Sequence, residues 1–281
     1  MTTEAEPGQD SVDPPASGEF REKIWQYYRK HRRDLPWRNT TDPYRILVSE
    51  IMLQQTQVDR VREKYRQFIE RFPDVRTLAE ATTAEVLGVW QGLGYNRRAL
   101  SLHRIAVQVE RECGGRIPDD DASLRSLPGI GPYTSAAIQA FAFNKPVVMI
   151  ETNIRRVYIH CFFGDRTGVA DREILPLIAA TLDRENPREW YNALMDYGWY
   201  LGTALENPNR RSRHYQRQAP FTGSNRQLRG KIIRNLIHNG EMECDDLFRA
   251  VEEPGSRVEA VLTELETEEF IARDHDRVRI R

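Results

Sequence analysis

Two carboxylates interrupt apolar runs in this 281-residue chain, and a pair of glycines separates two of its helical segments; chemistry can be built at these places. Glu50 stands in Leu47-Val48-Ser49-Glu50-Ile51-Met52-Leu53-Gln54-Gln55-Thr56-Gln57-Val58, an apolar helix start where an ionised acid is costly to bury. A buried Glu50 is either paired or protonated, and a partly exposed first-turn acid is the plain alternative. Glu151 ends the run Val147-Val148-Met149-Ile150 ahead of a helical stretch, Thr152-Asn153-Ile154-Arg155-Arg156-Val157. It can be only a capping acid, with Asn153, Arg155 and Arg156 as cap and surface residues. Leu127-Pro128-Gly129-Ile130-Gly131 leads into the small-residue segment Pro132-Tyr133-Thr134-Ser135-Ala136-Ala137-Ile138. Its glycines permit positive φ and expose N–H groups at the next helix start, an arrangement that holds one phosphate or simply makes a tight turn.

The elements that must position these residues are helical. From Phe20 to Leu201, apolar positions such as Val48, Ile51, Met52, Val58, Val61, Tyr65, Phe68, Ile69 and Phe72 keep a spacing near 3.6. Breaks at Leu35-Pro36-Trp37, Phe72-Pro73, Gly92-Leu93-Gly94, Gly114-Gly115, Leu127 to Gly131 and Asn186-Pro187 divide the stretch into about nine or ten helices, an all-α body. Residues 207–224 turn polar and basic, with Arg210, Arg211, Arg213, His214 and Arg217, and read as a linker or strap. Three short amphipathic helices follow, at about 225–238, 243–251 and 256–267, and then a two-stranded wing turning at Asp274 to Asp276, a pattern that fits a winged helix. Its third helix carries Glu259, Glu264 and Glu266 against Arg257 alone, so this module is expected to dock to protein rather than read bases.

Composition narrows the class. The chain has 41 Lys plus Arg, 42 Asp plus Glu and 40% hydrophobic residues, enough for a real core. Residues 1–19 hold five acids and no base and read as a disordered tail. Residues 20–223 hold 31 bases and 24 acids, a net of +7, which places a polyanion partner on the middle of the chain unless the charges only solvate it. Cys113, Cys161 and Cys244 lie far apart, which excludes a disulfide framework, a cysteine-rich zinc module and a four-thiolate cluster held by one chain. No apolar run reaches the roughly 20 residues of a membrane helix, and the start of the chain has neither region of a secretory signal. The expected location is cytoplasmic and nucleoid-associated, with no membrane contact.

Residues from about 20 to 202 resemble the endonuclease III superfamily of helix-hairpin-helix DNA glycosylases, and within it the MutY-type adenine glycosylases. The resemblance is carried by Leu35-Pro36-Trp37-Arg38, Asp42-Pro43-Tyr44, Ser49 to Val58, Gly92-Leu93-Gly94-Tyr95, Leu127 to Gly131 and Glu151 to Val157, in the family's order and spacing. It implies a body of two helical lobes at residues 20–206, followed by the strap at 207–224 and the winged-helix-like module at 225–281. Glu50 falls on the family's catalytic glutamate, the general acid at the adenine ring, whose pKa an apolar setting raises in the needed direction. Glu151 falls on a catalytic aspartate that faces the cationic sugar; Glu in place of Asp carries the carboxylate about 1.5 Å further from its backbone, and carboxyl separation decides between retaining and inverting geometry.

Tyr133 takes the place where bifunctional relatives carry a Schiff-base lysine, so base removal without efficient strand cleavage is expected. Gln55 and Tyr95 match residues that wedge into the base stack. Asn153 matches an asparagine that orients acid and water, and Gly129 and Gly131 match the hairpin that grips the DNA backbone. Arg155, Arg210 and Arg211 join these as expected DNA contacts. The family usually carries four cysteines after the segment represented here by Met195-Asp196-Tyr197-Gly198, but this chain has Gly202, Asn209, Ser212 and their neighbours. No iron–sulfur cluster, metal or other cofactor is therefore expected, and the winged helix stands where the family has a domain that inspects 8-oxoguanine. The resulting expectation is a monofunctional glycosylase that flips mispaired adenine out of double-stranded DNA. The rivals are a thymine or uracil mismatch glycosylase and a non-catalytic DNA-binding regulatory protein.

Overall fold

The computed structural model describes residues 17–217 and 220–281. The expected acidic tail therefore lies outside the described residues up to position 16, and Ser17 already opens a helix. In chain order the helices are α1 (Ser17–His31), α2 (Pro43–Leu53), α3 (Val58–Arg71), α4 (Val75–Ala79), α5 (Thr83–Trp90), α6 (Arg97–Cys113), α7 (Asp121–Arg125), α8 (Pro132–Phe141), α9 (Thr152–Phe162), α10 (Asp171–Thr181), α11 (Pro187–Ala204) and, after the strap, α12 (Asn225–Asn239), α13 (Cys244–Val251) and α14 (Gly255–Thr267). Short 3-10 turns lie at Pro36–Arg38 and Pro208–Arg211, and three strands, β1 (Met242–Glu243), β2 (Ile271–Asp274) and β3 (Arg277–Ile280), complete the described elements.

Eleven helices thus precede the strap among the described residues, where periodicity gives nine or ten. The difference lies in α4 and α7, each five residues long and too short to display a period. Capping sets them instead: Asp74 accepts from Thr77 N at 2.8 Å and Asp120 from Ser123 N at 2.9 Å. No helix among the described residues is long and apolar enough to cross a membrane.

The chain divides into two compact units, one of residues up to Arg33 with Asn144–Gln216, the other of Asp34–Phe143 with Arg217–Arg281. The first unit packs α1, α9, α10 and α11 around an aromatic core in which Phe20 meets Tyr158 at 5.4 Å, Phe162 at 4.9 Å and Trp190 at 6.0 Å. The start of α9 lies tightly against α11. A Cβ added at Gly198 would overlap the Asn153 carbonyl, and one at Gly202 would overlap the Arg156 guanidinium, so two glycines one helical turn apart are what admit α9. The strap is fastened to this unit: Val169 N donates to Arg211 O at 3.0 Å, Arg213 N donates to Val169 O at 2.9 Å, and Asn209 is buried.

In the second unit α2 is the central element, with Tyr44, Ile46, Leu47, Val48, Ser49, Glu50, Ile51 and Met52 all buried. Asp42 caps it, accepting from Tyr44 N at 2.9 Å, with Pro43 fixing its first turn. Helix α8 packs on α2 through its small residues, and α7 and α8 are joined by Leu127 to Gly131, where Gly129 takes φ +81°. The C-terminal segment belongs to the same unit. Helices α12, α13 and α14 enclose Leu228, Ile232, Leu236, Leu247, Leu262 and Leu265 under an antiparallel sheet of order β1-β3-β2, in which Ile271 pairs with Ile280 and Met242 with Val278. The expected two-stranded wing therefore gains a short third strand. Three of its acids pair inside the chain: Glu259 binds Arg273 at 2.6 Å, Glu264 binds Arg229 at 3.3 Å, and Glu269 binds Arg104 of α6 at 2.6 Å.

Candidate active site

Glu50 lies three residues from the end of α2 and is only 7% exposed. Tyr133, second residue of α8, donates its hydroxyl to Glu50 Oε2 at 3.2 Å. Because Gly131 caps α8, the hairpin and the phenol that meets the acid are two residues apart. Gly129 also permits close approach: a Cβ there would stand 3.1 Å from the Ser101 side chain, tighter than ordinary contact. Gln54 Nε2 donates to Thr134 Oγ1 at 3.3 Å, a second tie between the end of α2 and the first turn of α8.

The two expected wedge residues share a backbone property. Gln55, exposed after α2, has φ 54°, and Tyr95, before α6, has φ 49°. Non-glycine residues adopt this region only where surrounding contacts fix it. The buried side chain of Arg98 supplies contacts beside both. Its Nη1 donates to the carbonyls of Ile51 at 3.0 Å and Met52 at 2.8 Å and also to that of Gln54, and its Nη2 donates to Thr56 Oγ1 at 2.9 Å and Gly94 O at 3.1 Å. Arg98 thus satisfies the open carbonyls ending α2 while holding the loop before α6, and its guanidinium lies 5.5 Å from the Tyr95 ring centre. Burial pushes its pKa down to about 10. Sequence reasoning missed Arg98, although a signal existed: it falls in phase with Leu102, Ile105 and Val109 on the apolar stripe of α6.

In the other unit Glu151 is the N-cap of α9, with Oε1 accepting from Asn153 N at 2.6 Å and Ile154 N at 2.8 Å. Oε2 receives only a longer contact, 3.3 Å, from Asn153 Nδ2, so this oxygen keeps most of its capacity to face a cation. Burial pushes the Glu151 carboxyl up from its ordinary value, against the pull of those two N–H donors and of Arg156 and Arg155. Arg156 organises the surroundings by donating to Asn153 Oδ1 at 2.8 Å, Gly198 O at 2.6 Å and Asn207 Oδ1 at 3.0 Å. Asn209 Nδ2 donates to Thr152 O at 2.8 Å. Neither the role of Arg156 nor that of the strap asparagines was legible in the sequence, since nothing in the pattern says which distant backbone they meet.

The structure therefore brings Glu50 and Tyr133 into contact in one unit, with Gly131 near them in sequence and Gln55 and Tyr95 held by Arg98. It brings Glu151 and Asn153 into contact in the other. The expected cationic contacts are engaged within the protein: Arg155 forms two 2.7 Å bonds with Asp171, Arg210 meets Glu206 at 2.9 Å, and Arg211 lies 3.9 Å from Asp165. Among the described residues no group of three or more His, Cys, Asp or Glu side chains is placed to hold a metal ion. The positions after Gly198 offer a glycine at 202, a buried amide at Asn209 and a hydroxyl at Ser212, a donor set that does not fit an iron–sulfur cluster.

Residues 48–175 match the family model described as HhH-GPD superfamily base excision DNA repair protein. The chain is 34% identical over 259 residues to the adenine DNA glycosylase of Mycobacterium tuberculosis, spanning 83% of this chain and 79% of that one. It is 37% identical over 228 residues to the adenine DNA glycosylase of Mycolicibacterium smegmatis, spanning 75% and 78%. A solved structure of a thermostable thymine-DNA glycosylase superposes with a TM-score of 0.58 at 28% identity, covering 65% of this chain and 85% of the other. With the family match, likeness over most of both mycobacterial chains and the helix-hairpin-helix body all in agreement, the chain belongs to the HhH-GPD superfamily of base excision DNA repair proteins.

Proposed function

We propose that this protein is a monofunctional DNA N-glycosylase of base excision repair that extrudes a mispaired adenine, opposite guanine or 8-oxoguanine, and hydrolyses its N-glycosidic bond. The observation that carries it is the buried Glu50 carboxyl in contact with the Tyr133 hydroxyl, at a position where the related lyases need an amine. The likeness to two mycobacterial adenine DNA glycosylases supports adenine as the base. Glu50 gives a proton to the adenine ring, the C1′–N bond breaks with its electron pair leaving on the base, and the sugar cation is stabilised by the Glu151 carboxylate. Water adds at C1′ and its proton returns to Glu50. Gln55 and Tyr95 fill the vacated stack, and the hairpin at Gly129 and Gly131 takes a backbone phosphate.

The reaction is metal-free in this reading: hydrogen bonds order the strap that a cluster would otherwise hold, Asn207 Oδ1 accepting from Arg156 and Asn209 Nδ2 donating to Thr152 O. The C-terminal segment is a winged-helix module, supported by its helix-strand-helix-helix-strand-strand order, and the protein on which it docks is the body of its own chain.

Glu50→Gln is expected to retain binding to an A:G mismatch and to abolish excision. A near-wild-type single-turnover rate would reject the acid assignment. A second reading, thymine or uracil removal, is favoured by the likeness to the thymine-DNA glycosylase. A panel of A:G, A:8-oxoguanine, T:G and U:G duplexes, read by alkaline cleavage, separates the two, and salt-sensitive binding without any abasic product would leave only the non-catalytic alternative.

A further inference from the structure

The loop before α6 takes positive φ at Gly92, Gly94 and Tyr95, of 93°, 71° and 49°. A run of this kind does not decide by its own stiffness where the Tyr95 ring points, so contacts from outside must do so. From the body come Trp90 Nε1, which donates to Gly94 O at 3.2 Å, and Arg98, which holds the same carbonyl at 3.1 Å and lies 5.5 Å from the ring centre. A second cation comes from the C-terminal module. Arg226, the second residue of α12, donates to the Tyr95 hydroxyl and lies 5.4 Å from the ring centre. Two arginines far apart in the sequence therefore meet one ring, and Arg226 and Tyr95 are both half-buried, where such contacts are stronger than in open water.

The place of Arg226 in its own helix is electrostatically adverse. It stands in the first turn of α12, where the helix dipole favours an acid, and that turn contains none. Attachment of the module has its own ion pairs: Arg229 meets Glu264 at 3.3 Å and Glu268 at 2.5 Å, and Glu269 meets Arg104 at 2.6 Å. The contact of Arg226 with a neutral phenol is a different kind of interaction, directed at one side chain of the loop. A wedge ring that rotates freely must be ordered at the moment it enters a base stack, whereas a ring already held has lost that freedom beforehand.

We propose that Arg226 is a positioning residue for base extrusion: from the C-terminal module it holds the Tyr95 ring in the orientation that enters the stack, while Arg98 fixes the backbone beneath it. The proposal rests on the glycosylase reading, in which Tyr95 fills the space that the adenine leaves. It gives the module a part in the reaction that needs no DNA contact from its acidic third helix, because the module acts through a side chain of the body.

The test uses the full chain and a duplex with 2′-fluoro-2′-deoxyadenosine opposite guanine and 2-aminopurine as its neighbour. The fluorine disfavours the sugar cation, so the bond stays intact, and the 2-aminopurine fluorescence rises as the adenine leaves the stack. Arg226→Ala is expected to slow this rise about tenfold, and Tyr95→Phe, which removes the hydroxyl and keeps the ring, about fivefold. The double variant is expected to be no slower than Arg226→Ala alone, and Arg226→Lys, which keeps a cationic donor, to come within about threefold of the wild type. A residue that only supported the fold would lower the melting temperature and leave the two substitutions multiplicative. A wild-type rise in Arg226→Ala would overturn the proposal, as would a double variant slowed by the product of the single effects. If Arg226→Ala does not fold, Tyr95→Phe decides alone, a wild-type rise again overturning it. Adenine release from an ordinary A:G duplex is measured alongside. Release by the wild type with an unaltered rise in the variants removes only the role of Arg226; neither release nor a rise in the wild type removes the glycosylase reading, and this proposal with it.

Discussion

Glu151 is at once a helix cap and the carboxylate proposed to face the sugar cation, and its titration is set by burial working against the cap. Its folded pKa lies above the ordinary 4.5, with burial as the leading cause, so the folded protein binds the Glu151 proton more tightly than the unfolded chain does. Stability from this group is therefore full below pH 4.5 and declines as pH rises through the elevated folded value. Glu151→Gln abolishes that decline: the melting temperature of the variant minus that of the wild type is expected to become more positive from pH 4 to pH 7, while excision is lost. A constant difference across that range would show that the carboxyl does not titrate in the fold as its burial requires. Tyr133 offers a gain-of-function test of the same geometry. With its hydroxyl 3.2 Å from Glu50, Tyr133→Lys places an amine beside the acid, and the expected outcome is strand nicking with a borohydride-trapped imine. A variant that excises adenine but traps no adduct would place residue 133 away from C1′.

At the scale of elements, what decides the site is how closely α9 approaches α11. Gly198→Ala forces a methyl group into the Asn153 carbonyl, a backbone atom that cannot rotate aside. Overpacking of this kind costs about 1–3 kcal/mol, and because the displaced residue neighbours the Glu151 cap, excision is expected to fall more than stability does. Urea unfolding and single-turnover rates measured on one preparation test this; equal losses in both would make the glycine purely structural. The long elements were legible in the sequence because burial imposes a period: α12, α13 and α14 lie within a residue of their expected bounds at every end. The apolar α2 was legible for the same reason, and the turn before α8 through its proline and glycines. Helices α4 and α7 were not, since five residues capped by aspartate leave no periodic trace. Arg98 breaks the pattern in the informative direction, as a charge on an apolar stripe whose partners are backbone carbonyls that no side-chain pattern encodes.

For the whole molecule, periodicity fixes elements without fixing partners, and this is why the division of the chain was hidden. Helix α1 joins residues 144–216 in one unit, and the C-terminal module joins residues 34–143 in the other. The attachment of that module turns on Glu268. It accepts from Arg97 Nε at 2.7 Å and pairs with Arg229 at 2.5 Å, while the neighbouring Glu269–Arg104 pair is about half exposed and worth little. Burial pushes the Glu268 carboxyl up, but its hydrogen bonds from Arg97 and Arg229 outweigh this and hold it below its ordinary value. A depressed folded pKa contributes stability that is present above the unfolded value of 4.5 and lost as pH falls through the folded one. Glu268→Gln is accordingly expected to melt below the wild type at pH 7 and to converge on it as the pH falls towards 3. Glu269→Gln is expected to stay within about 0.5 kcal/mol of the wild type at neutral pH. Were the Glu268→Gln deficit to persist undiminished in acid, shape complementarity between α12 and α5 would hold the module in place, and its arginine contacts would be incidental.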